Sequence, residues 1–206
     1  MTQEVADNST NSGEKPQILR AVGRFFWELI KVFLLAMVII VPIRYFLVQP
    51  FFVRGASMEP NFYDGEYLVV DELSYFLRDA QRGEVIVFRF PQNRSQFFIK
   101  RIIGLPGESV RINNGQVEII NDDFPAGVVL DEAQYLPGDM RTGGQIVVEL
   151  GEKEYFVLGD NRPASSDSRS WGILGEDEIV GRAWLRAFPI DRLGVINFNR
   201  PGFVSL

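Results

Sequence analysis

A chain of 206 residues, 46% hydrophobic and 23% charged, has enough apolar mass for one sizeable globular domain with an appendage, which excludes a wholly disordered protein. Its formal net charge of -6 argues against a nucleic-acid partner, because binding the phosphate backbone requires a basic face. With no histidine and no cysteine, a serine–histidine triad, thiol catalysis, disulfides and a thiolate zinc site are excluded; no clustered aspartates resemble a calcium loop, so neither a metal nor a cofactor is expected.

Residues 1–17 are rich in Thr, Asn, Ser, Gly and Glu and predict a disordered tail. From Leu29 to Val48 the composition turns apolar. Val32 to Ile43 carries no charge, and Tyr45, Phe46, Leu47 and Val48 extend the run beyond Arg44. A bilayer core needs roughly 20 such residues, so residues 18–48 are expected to be a transmembrane anchor. Glu28, Lys31 and Arg44 fall towards its ends, where long side chains reach water, and Trp27 and Tyr45 sit as interfacial anchors. A cleavable signal peptide would need an A-x-A-like site soon afterwards, and Pro42 counts against a buried core helix. Lys15, Arg20, Arg24 and Lys31 precede the span, which predicts a single-pass protein with a cytoplasmic N-terminus, an exoplasmic domain over 49–206 and the lipid bilayer as a partner.

After Pro50 short apolar or alternating runs are punctuated by Gly, Pro, Asn and Asp. Strands are expected over 66–70, 85–90, 97–103, 109–112, 117–120, 145–150, 154–158 and 180–188, with Asn113-Asn114-Gly115 as a hairpin turn and a brief helical stretch over 72–82. The fold class is therefore mainly β, as coiled antiparallel sheets or a partly open barrel, with one N-terminal transmembrane helix.

Three stretches carry chemistry. Gly55-Ala56-Ser57-Met58-Glu59-Pro60 is a Gly/Pro-bracketed turn offering one serine. Without histidine, a nucleophilic Ser57 must give its proton to a carboxylate or to a neutral lysine. In Phe97-Phe98-Ile99-Lys100-Arg101-Ile102-Ile103-Gly104, period two puts Phe98, Lys100 and Ile102 on one face and Phe97, Ile99, Arg101 and Ile103 on the other. Arginine cannot shed its proton on burial, whereas lysine can. Lys100 inward with Arg101 outward is thus the cheaper arrangement, and it yields a general base. Taken alone, the Lys-Arg pair reads more readily as a solvated strand edge. The third stretch, Gly159 to Gly172, is a polar loop in which Asp167 and Arg169 share a side if extended.

Together these stretches resemble the type I signal peptidases, membrane-bound serine proteases with a Ser-Lys dyad. Ser57-Met58-Glu59-Pro60 is similar to the S-M-x-P box, and Arg82-Gly83-Glu84-Val85-Ile86-Val87-Phe88 to R-G-D-I-V-V-F with Glu for Asp. Lys100 to Glu108 matches K-R-x-x-G-x-P-G-[DE], and Gly159 to Arg169 matches G-D-N-R-x-x-S-x-D-S-R. The resemblance implies that Ser57 is the nucleophile, Lys100 its base, Ser165 the residue that orients the lysine, Asp167 and Arg169 a bracing ion pair, and Arg101 a structural partner. It further implies cleavage of signal peptides from preproteins after A-x-A-type small residues, in the cell membrane or the thylakoid membrane. A noncatalytic β insertion would cover about 108–154. An extended peptide would add to sheet edges near 52–55 and 97–99, with Phe52, Val53, Gly55, Met58, Phe62, Phe98 and Ile99 as substrate-contacting residues and Phe62 narrowing the cleft. Gly55 stands where some members carry a serine that completes the oxyanion hole, which leaves the Ser57 N–H as the donor to rely on. The alternative is a catalytically silent, membrane-anchored β module that binds peptides or partner proteins, against which the presence of both Ser57 and Lys100 counts.

Overall fold

The structure is a computed structural model that describes residues 14–42, 48–138, 140–197 and 201–204. Residues 1–13 of the expected tail, and Ile43 to Leu47 of the expected span, lie outside them. The chain divides into two compact units, 1–45 and 46–206.

The first unit holds helix α1 (Glu14–Pro42). Side chains from Val22 to Ile40 are exposed apart from half-buried Ala36, and Glu28 and Lys31, one turn apart, pair at 2.8 Å. The charge-free part of the helix, Val32 to Pro42, is about 16 Å long at 1.5 Å per residue, roughly half a hydrocarbon core. No helix among the described residues is long and apolar enough to cross a membrane. This corrects the expected transmembrane anchor over 18–48 and the single-pass localisation derived from it. That span required joining the apolar residues on both sides of Arg44, whereas the described helix covers Glu14–Pro42 and Val48 already opens a strand.

The second unit is mainly β, and every strand pairing in it is antiparallel. Its larger sheet contains β1 (Val48–Phe52), β2 (Tyr67–Asp71), β3 (Val85–Phe90), β4 (Asn93–Gly104), β9 (Glu154–Leu158), β10 (Leu174–Gly175) and β11 (Ile179–Phe188), in the order β1-β2-β11-β3-β4-β9-β10, with β12 (Gly194–Val195) pairing β11. The smaller sheet runs β13-β7-β6-β5-β8, formed by β5 (Ser109–Asn113), β6 (Gln116–Ile120), β7 (Val128–Leu130), β8 (Ile146–Glu149) and β13 (Phe203–Val204). Asn114 and Gly115, both at positive φ (52° and 82°), turn β5 into β6, as a two-residue hairpin with the right-handed strand twist requires. Of the helical stretch expected over 72–82, only α2 (Ser74–Leu77) forms, with Asp71 accepting from the Ser74 N–H and Oγ.

Both faces of the larger sheet are covered around β3, which is why that strand reads as an unbroken apolar run rather than an alternating one. Val85 and Val87 join Val53, Met58, Phe62, Leu68, Val70, Ile99 and Ala183 on one side; Ile86 and Phe88 join Ile102, Tyr155, Val157 and Leu174 on the other. The second half of β4 lies between these clusters, so neither of its faces is outward. Arg101, expected outward, is only 6% exposed. It lies on the face opposite Lys100, as strand alternation requires, but that face is covered too.

Candidate active site

Ser57 follows β1 on a turn that starts at Gly55, whose φ of 83° favours glycine, and whose N–H donates to Asp64 Oδ1 at 2.7 Å. Beyond the serine, Met58 O accepts from the N–H groups of Asn61 and Phe62, and the Met58 side chain is sunk in the core at 1% exposure. The turn is thus held on both sides of the serine while Ser57 faces a cleft.

Lys100 lies opposite Ile86 on β4 and is 3% exposed. Its Nζ donates to Ser57 Oγ at 2.7 Å and to Ile99 O at 2.8 Å, and it stands 5.5 Å from the centroid of the Phe98 ring. Burial pushes the ammonium down from 10.5 to about 8, against the upward pull of the Asp167 and Asp160 carboxylates. A tenth or so of the lysine is then neutral at pH 7, and the pair can pass a proton from hydroxyl to amine without rearrangement.

The neighbours of the pair come from the loop after β9. Asp160, fully buried, takes a two-pronged contact from Arg101, Nε to Oδ1 at 2.8 Å and Nη2 to Oδ2 at 2.6 Å; Arg101 also donates to Gly83 O and lies 4.2 Å from the centroid of the Tyr135 ring. That set of partners is what makes a buried arginine tolerable here. Asp160 Oδ2 further accepts from Asn61 Nδ2 at 2.7 Å, tying the lysine strand to the serine turn. Arg162, 2% exposed, donates to Gly159 O, Glu132 and Thr142. Asp160, Asn161 and Arg162 were absent from the expected site residues although they stand inside the quoted Gly159-Asp160-Asn161-Arg162 motif. A carboxylate flanked by amide and guanidinium beside a buried lysine strand was the available signal.

Asp167 caps α3 (Ser168–Trp171) and pairs with Arg169 at 2.8 Å. Burial would raise its carboxyl, but the Arg169 hydrogen bonds, the Gly159 N–H at 3.0 Å and the Arg169 charge hold it below its ordinary value. Ser165 behaves differently from expectation. It lies near enough to Asp167 to lower that carboxyl slightly, yet its Oγ is shielded from solvent with no partner in bonding geometry, and no hydrogen bond joins it to Lys100 among the described residues. It packs against Gly159, where an added Cβ would collide with Ser165 Oγ and meet Ser57 O at 2.5 Å.

The cleft has a volume of about 710 Å³ and is lined by Ser57 and Lys100 together with Phe52, Val53, Gly55, Phe98 and Ile99. Two smaller cavities, of about 360 and 430 Å³, contain neither Ser57 nor Lys100. Met58 and Phe62 do not line the cleft. Phe62, 2% exposed, packs in the core with Met58, so it cannot narrow the site as expected. Phe97, on the expected 97–99 edge, lines it, as does Phe51, which lies outside the expected edges, with ring centroids 5.2 Å apart. The outer edge of β1 ends the sheet, and β4 pairs with β9 only from Arg101 onward, so among the described residues 93–99 of β4 keep a free edge. Two unpaired strand edges thus flank the cleft that leads to Ser57.

A family profile described as signal peptidase, peptidase S26, matches residues 26–188. A probable signal peptidase I-2 of Synechocystis sp. is 33% identical over 201 residues, 95% of this chain and 86% of the relative. A signal peptidase IB of Staphylococcus aureus is 32% identical over 174 residues, 80% of this chain and 90% of the relative. A crystal structure of a signal peptidase I from Enterococcus faecalis V583 aligns with 51% of this chain and 97% of its own at 31% identity and a TM-score of 0.42. With the profile spanning most of the chain and relatives above 30% identity along nearly all of it, this chain belongs to the signal peptidase family, peptidase S26.

Proposed function

We propose that the chain is a serine endopeptidase that cleaves signal peptides from exported preproteins with Ser57 as nucleophile and Lys100 as general base. The observation that carries this is the 2.7 Å contact between Lys100 Nζ and Ser57 Oγ, in a buried setting that lowers the lysine to about 8, at the head of a strand-edged cleft. Neutral Lys100 takes the hydroxyl proton as Ser57 Oγ attacks the scissile carbonyl, and the tetrahedral oxyanion is met by the Ser57 N–H. The lysine ammonium then protonates the departing amine, leaving an acyl-enzyme that water, deprotonated by the same lysine, hydrolyses. The substrate lies extended between the edges of β1 and β4, its main chain bonded to both and alternate side chains directed into the apolar lining. The side chains before the cut face the apolar lining of Phe52, Phe98 and Ile99. Every residue lining the cleft falls in 51–100 or 164–166, which supports residues 108–154 as a noncatalytic insertion.

Incubation with a preprotein, with the cut mapped by mass spectrometry, tests the assignment. We expect one cut after an A-x-A-type site, abolished by Ser57→Ala and by Lys100→Ala, and a kcat that rises with pH through a midpoint of about 8 to a plateau above about pH 9. Normal processing by either variant, or a rate that falls steadily from acid to neutral pH, would sink the dyad.

A further inference from the structure

The serine turn, closed on itself by the Glu59 N–H donating to Ala56 O at 3.2 Å, is gripped from outside the cleft by one further residue. Asn161 Nδ2 donates to Ala56 O at 3.0 Å, and the Asn161 backbone N–H donates to Ser57 O, also at 3.0 Å. Asn161 itself does not line the cleft, whereas Ala56 and Ser57 do. The Ala56–Ser57 peptide is trans, so its C=O and N–H point in opposite directions. A donor that fixes Ala56 O on the loop side therefore turns the Ser57 N–H the other way, and that N–H donates to no group among the described residues.

We propose that Asn161 is a positioning residue for the oxyanion donor: by clamping the carbonyls of Ala56 and Ser57 it holds the Ser57 N–H, unoccupied, towards the cleft. This rests on the serine-peptidase assignment above and gives a physical reason why a turn with glycine at position 55 dispenses with a side-chain donor. The turn's own Glu59 N–H contact to Ala56 O, at 3.2 Å, is longer than the Asn161 bond at 3.0 Å, and a donor that must first be rotated into place stabilises the transition state less than a preset one. Asn161 supplies the presetting, and Gly159 lets the loop come close enough to do so, since any Cβ there would meet Ser57 O.

The test uses Asn161→Leu, a neutral near-isostere that lacks the amide donor but keeps the backbone N–H to Ser57 O. Asn161→Ala, read out in the same way, decides if the first variant fails to fold. The wild type must first cleave a model signal-peptide substrate and bind a peptide boronic acid of the same sequence; failure there overturns the serine-peptidase assignment itself. Given an active wild type, we expect kcat to fall about 10- to 100-fold. KM should stay within about twofold, and boronate affinity should fall in step with kcat. Binding of a non-cleavable peptide, and the pH midpoint of the rate profile, should remain unchanged. An unaltered kcat, a loss confined to KM, or a shifted pH midpoint would each overturn the proposal, the last because it would show Asn161 acting through Lys100. Loss of the native circular-dichroism spectrum in both variants would overturn it as well, by making Asn161 a folding residue.

Discussion

Replacing Lys100 by methionine should trade activity for stability in a pH-dependent way. The lysine is 3% exposed, and in the fold it titrates at about 8 against 10.5 for the free side chain. A folded-state pKa below the unfolded one means that the unfolded chain binds more protons between those values, so the stability of the wild type rises with pH across that window. The displacement is worth about 3 kcal/mol, a cost fully present below pH 8 and nearly gone by pH 10.5. Methionine has similar length and no charge, so it avoids that cost at every pH. It also forfeits the hydrogen bonds to Ser57 Oγ and Ile99 O, about 1 kcal/mol each and independent of pH. Lys100→Met is therefore expected to be more stable than wild type by about 1 kcal/mol at pH 7 and less stable at pH 10.5. Urea unfolding followed by tryptophan fluorescence at pH 7, 8, 9 and 10.5 measures the difference, in which the titration of all other groups cancels. A difference between the two proteins that stays constant to within about 0.5 kcal/mol over this range would refute the reasoning.

Asp160→Asn leaves the Arg101 charge buried without its carboxylate and should cost about 3–5 kcal/mol in urea unfolding. It also removes one of the two charges that raise the lysine, so the midpoint of the rate profile should move below 8; a midpoint that rises would contradict the assigned electrostatics. Gly159→Ala forces a methyl against Ser165 and Ser57 O and should lower kcat at least tenfold by spreading the serine turn from the loop. Unchanged kinetics would mean that the close approach has no bearing on the pair.

Local pattern made most of the strands legible, because alternation and turn chemistry are short-range. Val85–Phe90, Glu154–Leu158 and the Asn114-Gly115 hairpin follow from residues within a few positions of one another. Parity likewise set Lys100 and Arg101 on opposite faces of β4. What covers each face depends on residues far along the chain: Arg101 is sheltered by Asp160 and Tyr135, and nothing near position 101 announces either. The same limit applies to Met58 and Phe62, whose neighbourhood to Ser57 in sequence suggested the cleft while a turn sends both side chains into the core. The membrane span failed for another reason. A hydropathy window adds Val32–Ile43 to Tyr45–Val48 regardless of conformation, and it does not register that Val48 already belongs to a strand.

The serine and the lysine come from separate elements 43 residues apart, and one segment sets the distance between them. β9 pins the second half of β4 through Arg101↔Leu158 and Ile102↔Val157, immediately after Lys100. The chain then leaves β9 at Leu158 and within three residues supplies Asp160, which fixes Arg101 and Asn61, and Asn161, which holds Ala56 and Ser57. Lys100 and Ser57 are therefore referenced to the same short stretch of backbone rather than to each other, and a flexible lysine does not have to find its hydroxyl. The first half of β4, which β9 does not reach, keeps the free edge that lines the cleft. β4 divides at the lysine: the part before it has no partner on its cleft-side edge and the part after it is closed by β9, so the free edge ends where the amine and the hydroxyl stand.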